Sequence, residues 1–211
     1  MNQAPETNQE IKPEEPPKKS DVGFSILASL FDYFEIFAFS ILAVLLLFTF
    51  CFRLCRVDGR SMNNTLYHEE MLITTNLFYE PQQGDIVVFH LCNDYYNQPL
   101  VKRVIAKEGQ QVKIDLTAKE VYVDGILLEE SYIYLDQGTY NPHGYFAADK
   151  LDTDEKGHRV FTATVPEGHL FVMGDNRNHS TDSRSNMVSF VDEDAILGKA
   201  LFRISPFTVF D

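Results

Sequence analysis

Ser61 follows Asp58-Gly59-Arg60, and Lys102 stands inside the apolar run Leu100-Val101-Lys102-Arg103-Val104-Ile105. A serine alcohol is a weak nucleophile until a neighbouring base takes its proton. A lysine amine can be that base only when it is neutral. Free lysine titrates near ~10.4 and a useful base near ~7–8, so apolar surroundings must supply a shift of about 3 units, or roughly 4 kcal/mol. Strand alternation puts Leu100, Lys102 and Val104 on one face and Val101, Arg103 and Ile105 on the other, so one of the two cations is expected to face apolar neighbours. The competing reading is that both stems snorkel and carry their charges into water. A single serine is, by the same token, most often a turn residue or a cap. Gly59 favours chemistry here because it lets a backbone approach a ligand closely.

A third polar concentration is Met173-Gly174-Asp175-Asn176-Arg177-Asn178-His179-Ser180-Thr181-Asp182-Ser183-Arg184. It follows an apolar run, and Asp175, Asp182, Arg177 and Arg184 could form a rigid ion-pair network. A solvated loop is the plainer alternative. His179 adjoins Ser180, but neighbouring residues usually point apart, so a histidine-dependent mechanism is disfavoured. His90, His143, His158 and His169 show no metal-ligand spacing, and no metal is expected.

The elements that must position these groups fall into three parts of a 211-residue chain. Residues 1–23 are rich in Glu, Pro, Lys and Gln and read as a disordered tail. Residues 24–52 turn apolar, and no charge occurs from Ile36 to Phe52. With the preceding turn this reaches the ~20 residues a membrane-spanning helix needs. The run is longer than the ~7–15 residues of a leader h-region and lacks a small-residue cleavage site, so a retained anchor is expected. Lys18 and Lys19 flank one side and Arg53 and Arg56 the other, so charge leaves its orientation open. Residues 53–211 read as mainly β, with short runs at Met71–Thr75, Ile86–Phe89, Leu100–Ala106 and Leu170–Met173. Asp124-Gly125 between Val121-Tyr122-Val123 and Ile126-Leu127-Leu128 signals a tight hairpin. Residues 113–165 include a less regular excursion, polar and glycine-containing from Tyr134 to Arg159. Cys51, Cys55 and Cys92 make no disulfide framework; Cys51 and Cys55, four apart, are read as apolar filler on one helix face at a membrane edge. A formal charge of −13 argues against a nucleic-acid partner.

Taken in order, the anchor, VDGRSMNNTL (57–66), GDIVVF (84–89), VKRVIAKEGQQV (101–112), VMGDNRNHSTDSR (172–184) and GKALFRISPF (198–207) resemble the type I signal peptidases, membrane-bound serine/lysine proteases that remove leader peptides. The resemblance spans residues 24–211. It implies a signal-peptidase-type β catalytic domain behind a single N-terminal transmembrane helix, with residues 1 to about 30 cytoplasmic and the catalytic domain outside, against the bilayer. Ser61 matches the nucleophile, Lys102 the general base and Ser180 the hydroxyl that orients the lysine amine. Asp175, Arg177, Asp182 and Arg184 match the scaffold of that loop. The oxyanion hole would use the Ser61 N–H and a group at Gly59; lacking a side chain, Gly59 could offer only its backbone N–H, or a water would serve. Val57, Met62, Leu66, Leu100 and Val101 match walls of pockets for small residues at the first and third positions before the cut. The substrates would be secreted preproteins, bound extended and cleaved without metal or organic cofactor. Two departures stand out: Asn64 replaces a usual proline, which predicts a looser turn after Ser61, and Ala106 and Glu108 stand where Gly and Pro are usual.

Two rivals are weaker. A self-cleaving repressor with the same dyad would need a DNA-binding domain and no span. A catalytically silent membrane-anchored β module is opposed by the presence of Ser61, Lys102 and Ser180 together.

Overall fold

In the computed structural model, residues 19–133 and 146–210 are described. The expected tail up to residue 18, and residues 134–145 of the expected excursion, lie outside them. The first unit is dominated by helix α1, Lys19–Cys51, which starts five residues before the composition change at Phe24. Within it Ser29–Thr49 is long and apolar enough to cross a membrane, and none of its apolar stretch is buried inside the protein. A helix with an apolar surface all round and no protein cover is suited to a hydrocarbon solvent.

The unit that follows holds, among the described residues, thirteen strands in two antiparallel sheets. The strands are β1 (Arg53–Arg56), β2 (Met71–Thr75), β3 (Ile86–Cys92), β4 (Asn97–Ala106), β5 (Gln111–Asp115), β6 (Glu120–Val123), β7 (Ile126–Leu127), β8 (Leu151–Thr153), β9 (Arg159–Thr164), β10 (His169–Met173), β11 (Val191–Asp192), β12 (Ile196–Arg203) and β13 (Thr208–Val209). The larger sheet runs β1-β2-β12-β3-β4-β10-β11, with β13 added on β12; the smaller runs β7-β6-β5-β9-β8. The protein is thus mainly β behind one apolar helix.

The hairpin at Asp124-Gly125 forms as its sequence predicts. Both residues take positive φ, 54° and 80°, which is the type I′ requirement. The excursion differs from expectation. Its described part contributes β8, paired with β9 from Leu151↔Phe161 to Thr153↔Arg159, so segment 113–165 carries most of an ordered second sheet. Polar exposed faces had hidden the strands: Asp152 and Thr153 point to solvent while Val160 and Phe161 point inward. The two cysteines read as sharing a helix face do not, because α1 ends at Cys51 and Cys55 lies in β1, its Sγ 3.8 Å from Thr74 Oγ1.

β4 is the central positioning element. Val104 packs into a core with Val87, Phe89, Leu170 and Val172, whereas Ile105 packs on the other face with Phe161, Phe171 and Met173. The second half of β4, from Lys102 to Ala106, is covered on both faces and buries what it carries, and Lys102 and Arg103 are accordingly 3% and 9% exposed. Both cations are buried, on opposite faces, where the sequence pattern anticipated only one.

The second core joins the two sheets. Phe161 of β9 is fully buried, with ring centroids 5.5 Å from Phe146 and 5.9 Å from Phe171 of β10. Phe161→Ala should therefore cost about 3–5 kcal/mol, read by chemical denaturation; a loss below about 1 kcal/mol would show that the sheets are not packed through this ring.

Candidate active site

The turn after β1 carries Ser61, and β4 carries Lys102. Lys102 Nζ lies 2.8 Å from Ser61 Oγ and 3.0 Å from the Val101 carbonyl oxygen. The sequence separation of 41 residues is closed because β4 pairs with β3 while Met62 and Leu66 drop into a core with Leu72, Ile86 and Ala200. Burial is the main influence on the amine and lowers its pKa to about 8; Asp182 and Asp175 oppose this and Arg184 assists it. A neutral amine within hydrogen-bond reach of an alcohol can act as its general base.

The nucleophile turn is closely held. Asn63 N–H donates to the Arg60 carbonyl, and the N–H groups of Thr65 and Leu66 both donate to the Met62 carbonyl. Asn64 sits at φ 83°, a left-handed conformation that proline's ring forbids. The turn therefore follows a backbone path at Asn64 that a proline there would not allow. The Gly59 N–H donates to His68 Nδ1 at 3.2 Å, so it would serve as an oxyanion donor only after that bond broke.

Residues 174–184 form no free loop. Three buried arginine–carboxylate pairs fix the region, one within the expected network and two with partners from outside it. Arg184 binds Asp182 inside the loop, at 2.7 and 2.8 Å. Asp175 instead receives Arg103 of β4 through two bonds of 2.9 and 2.7 Å, plus the Thr65 hydroxyl at 2.5 Å. Arg177 is held by Glu130, and its Nε donates to the Gly174 carbonyl. Tyr132 lies under Arg103, 3.8 Å from guanidinium to ring centroid. Burial pushes the Asp182 carboxyl up, yet Arg184 and the Gly174 N–H outweigh it and the pKa is lowered. Arg103, Glu130 and Tyr132 were not singled out by sequence; the one available signal was a second cation inside an apolar strand.

Ser180 Oγ is buried and, among the described residues, makes no hydrogen bond to Lys102. His179 is exposed. A Cβ on Gly174 would overlap Ser180 Oγ and the Ser61 carbonyl oxygen, so only glycine allows this close approach.

Ser61 and Lys102 open on a cleft of about 380 Å³. Val57, Met62, Leu100 and Val101 line it, together with Leu54, Cys55, Val88 and Leu197, which sequence reasoning had not singled out. Leu66 does not line it: it is fully buried in the core behind the turn, so its contribution is packing. Elsewhere Asp115, Asp154 and His158 offer ligand atoms within 4.8 Å of one another, a grouping invisible to spacing because it joins β5 to the turn before β9. Lys113 pairs with Asp154 at 3.2 Å, and His158 Nδ1 lies 2.6 Å from Asp115, so both carboxylates already have side-chain partners within the protein.

Three substitutions probe this electrostatic arrangement. Asp175→Asn leaves the buried Arg103 without its counter-charge and should cost about 3–5 kcal/mol by denaturation. Glu69→Gln, removing the exposed partner of Arg56 (both side chains 61% exposed), should cost under about 1 kcal/mol; equal losses would contradict the burial argument. For Lys102, the folded pKa of about 8 lies below the ordinary 10.5, so the unfolded chain binds more protons between those values. Stability then rises with pH across that window, and below it the buried amine costs roughly 3 kcal/mol. Lys102→Met should be more stable than the parent at pH 7, with the gain shrinking towards pH 10.5; a gain independent of pH would refute a depressed lysine.

The profile of the family described as Signal peptidase, peptidase S26, matches residues 30–205. A probable signal peptidase I-1 of Synechocystis sp. is 37% identical over 159 residues, 71% of this chain and 69% of the relative. A signal peptidase IB of Staphylococcus aureus is 32% identical over 161 residues, 73% of this chain and 78% of the relative. A crystal structure of a signal peptidase I from Enterococcus faecalis is 29% identical, covers 57% of this chain and 97% of its own, and has a TM-score of 0.42. With a matching profile across most of its length and relatives above 30% identity, this chain belongs to the signal peptidase family, peptidase S26, and is a serine endopeptidase.

Proposed function

We propose that this protein cleaves signal peptides from secreted preproteins by acyl transfer through Ser61 and Lys102. The observation that carries the reading is the 2.8 Å contact between Lys102 Nζ and Ser61 Oγ, on an amine that burial holds near pKa 8. Neutral Lys102 takes the Ser61 proton as the oxygen adds to the scissile carbonyl. The ammonium then returns the proton to the leaving amine, and a water, deprotonated by the same amine, releases the acyl group.

The substrate lies extended in the cleft, along β1, the outer strand of the larger sheet. Main-chain bonds at such an edge provide affinity, and side-chain pockets provide selectivity. The walls at Val57, Met62, Leu100 and Val101 favour small residues at the first and third positions before the bond. Asp175, Arg177, Asp182 and Arg184 hold the loop whose Ser180 hydroxyl stands near the dyad, as scaffold rather than as reactants. Helix α1 is the membrane anchor, with the N-terminal side cytoplasmic and the β unit outside the cell membrane, where leader peptides emerge.

Ser61→Ala should abolish turnover of a peptide with Ala at both specificity positions, by at least about 10³-fold, with the thermal transition retained. Lys102→Arg should be equally inactive, since guanidinium keeps its proton. In the parent, kcat/KM should rise through pH about 8, as Lys102 becomes neutral, and fall below it. Turnover surviving in Ser61→Ala, or a flat profile down to pH 5, would remove the dyad from the mechanism.

A further inference from the structure

Acyl transfer needs a hydrogen-bond donor aimed at the oxygen that becomes negative. Among the described residues the Ser61 N–H donates to no protein acceptor, although its neighbours Asn63, Thr65 and Leu66 all do. Its direction must therefore be set from elsewhere. A trans peptide is planar, with its C=O and N–H pointing opposite ways. The Ser61 N–H belongs to the same rigid unit as the Arg60 carbonyl, and whatever holds that carbonyl aims that N–H.

Two donors hold it: the Asn63 N–H of the turn itself, at 3.1 Å, and Asn176 Nδ2, at 3.0 Å; the Asn176 backbone N–H also donates to the Ser61 carbonyl oxygen at 3.0 Å. Asn176, 2% exposed, thus reaches from outside the turn to both peptide units that flank the nucleophile. Asn176 is itself placed by its neighbours: Asp175 is tied to Arg103, and Gly174 presses against the Ser61 carbonyl with no room for a Cβ. We infer that Asn176 is a positioning residue for the oxyanion site, acting through the Arg60–Ser61 peptide and touching no substrate atom. The inference rests on the Ser61/Lys102 reading above.

The test separates this role from general support. Asn176→Asp keeps the side chain's volume but, ionised, turns a donor into an acceptor facing a carbonyl; Asn176→Ala deletes it. Each should lower kcat by roughly 10–10²-fold, somewhat less than the 10²–10³ for outright removal of an oxyanion donor. KM should stay within about twofold, and in Asn176→Ala the acid limb should remain near pH 8, because that change brings no charge towards Lys102. Affinity for a peptide boronate, whose tetrahedral adduct places an oxygen at that site, should fall by the same factor as kcat. A loss carried by KM, a displaced acid limb in Asn176→Ala, or unchanged boronate affinity would overturn the inference. The wild-type enzyme supplies a check independent of folding of the variants: the Asn176 side-chain amide protons should exchange slowly with solvent, and rapid exchange would show that the bond to Arg60 does not persist. Failure of the wild-type protein to form a boronate adduct at Ser61 would instead sink the dyad reading.

Discussion

The structure depends on keeping one amine dry. Lys102 is an ordinary cation in water, and it becomes a base only because the second half of β4 runs through the interior with packed side chains on both faces. The cost is intrinsic to the arrangement: below its folded pKa the buried amine opposes folding, so the rest of the domain must be stable enough to carry it. Its surroundings are balanced accordingly. Asp182 and Asp175 favour its charge, Arg184 and desolvation oppose it, and the result lies near pH 8. A stronger carboxylate influence would leave the amine protonated; none would make it easier to deprotonate but would remove the anchor of the loop beside it.

The three buried arginine–carboxylate pairs can be understood in that light. Buried ion pairs rarely add much net stability, because desolvating both charges offsets their attraction. What they do provide is direction. Arg103 to Asp175, Arg177 to Glu130 and Arg184 to Asp182 are each multiply bonded, so each fixes a chain segment in orientation as well as position. Asp175 also receives the Thr65 hydroxyl, which links the loop after β10 to the turn that bears Ser61. Nucleophile, base and loop are thereby locked to one another through polar contacts, while the apolar cores hold the sheets that carry them.

How much of this was legible beforehand can be judged element by element. The apolar helix, the mainly β character and the Asp124-Gly125 turn are local matters, and composition, period and turn chemistry revealed them. Ser61 and Lys102 stood out as a possible pair because their motifs, in order, match a family. β8 was missed because its exposed residues are polar, and a short half-buried strand has too few apolar positions to show a period. Leu66 was placed in a substrate pocket on motif alone, whereas the turn after Ser61 points it into the core.

The sequence by itself determined which residues could do chemistry and where the apolar helix, several strands and the Asp124-Gly125 turn lie, because these follow from side-chain type and short-range pattern. Only the tertiary structure decided the partners. Arg103 meets Asp175 across 72 residues and Arg177 meets Glu130 across 47. Such pairings are set by strand order and by which face each side chain takes, and no local spacing encodes either. The same reason applies to the amine itself: lysine's identity is written in the chain, but its pKa belongs to the packing that surrounds it.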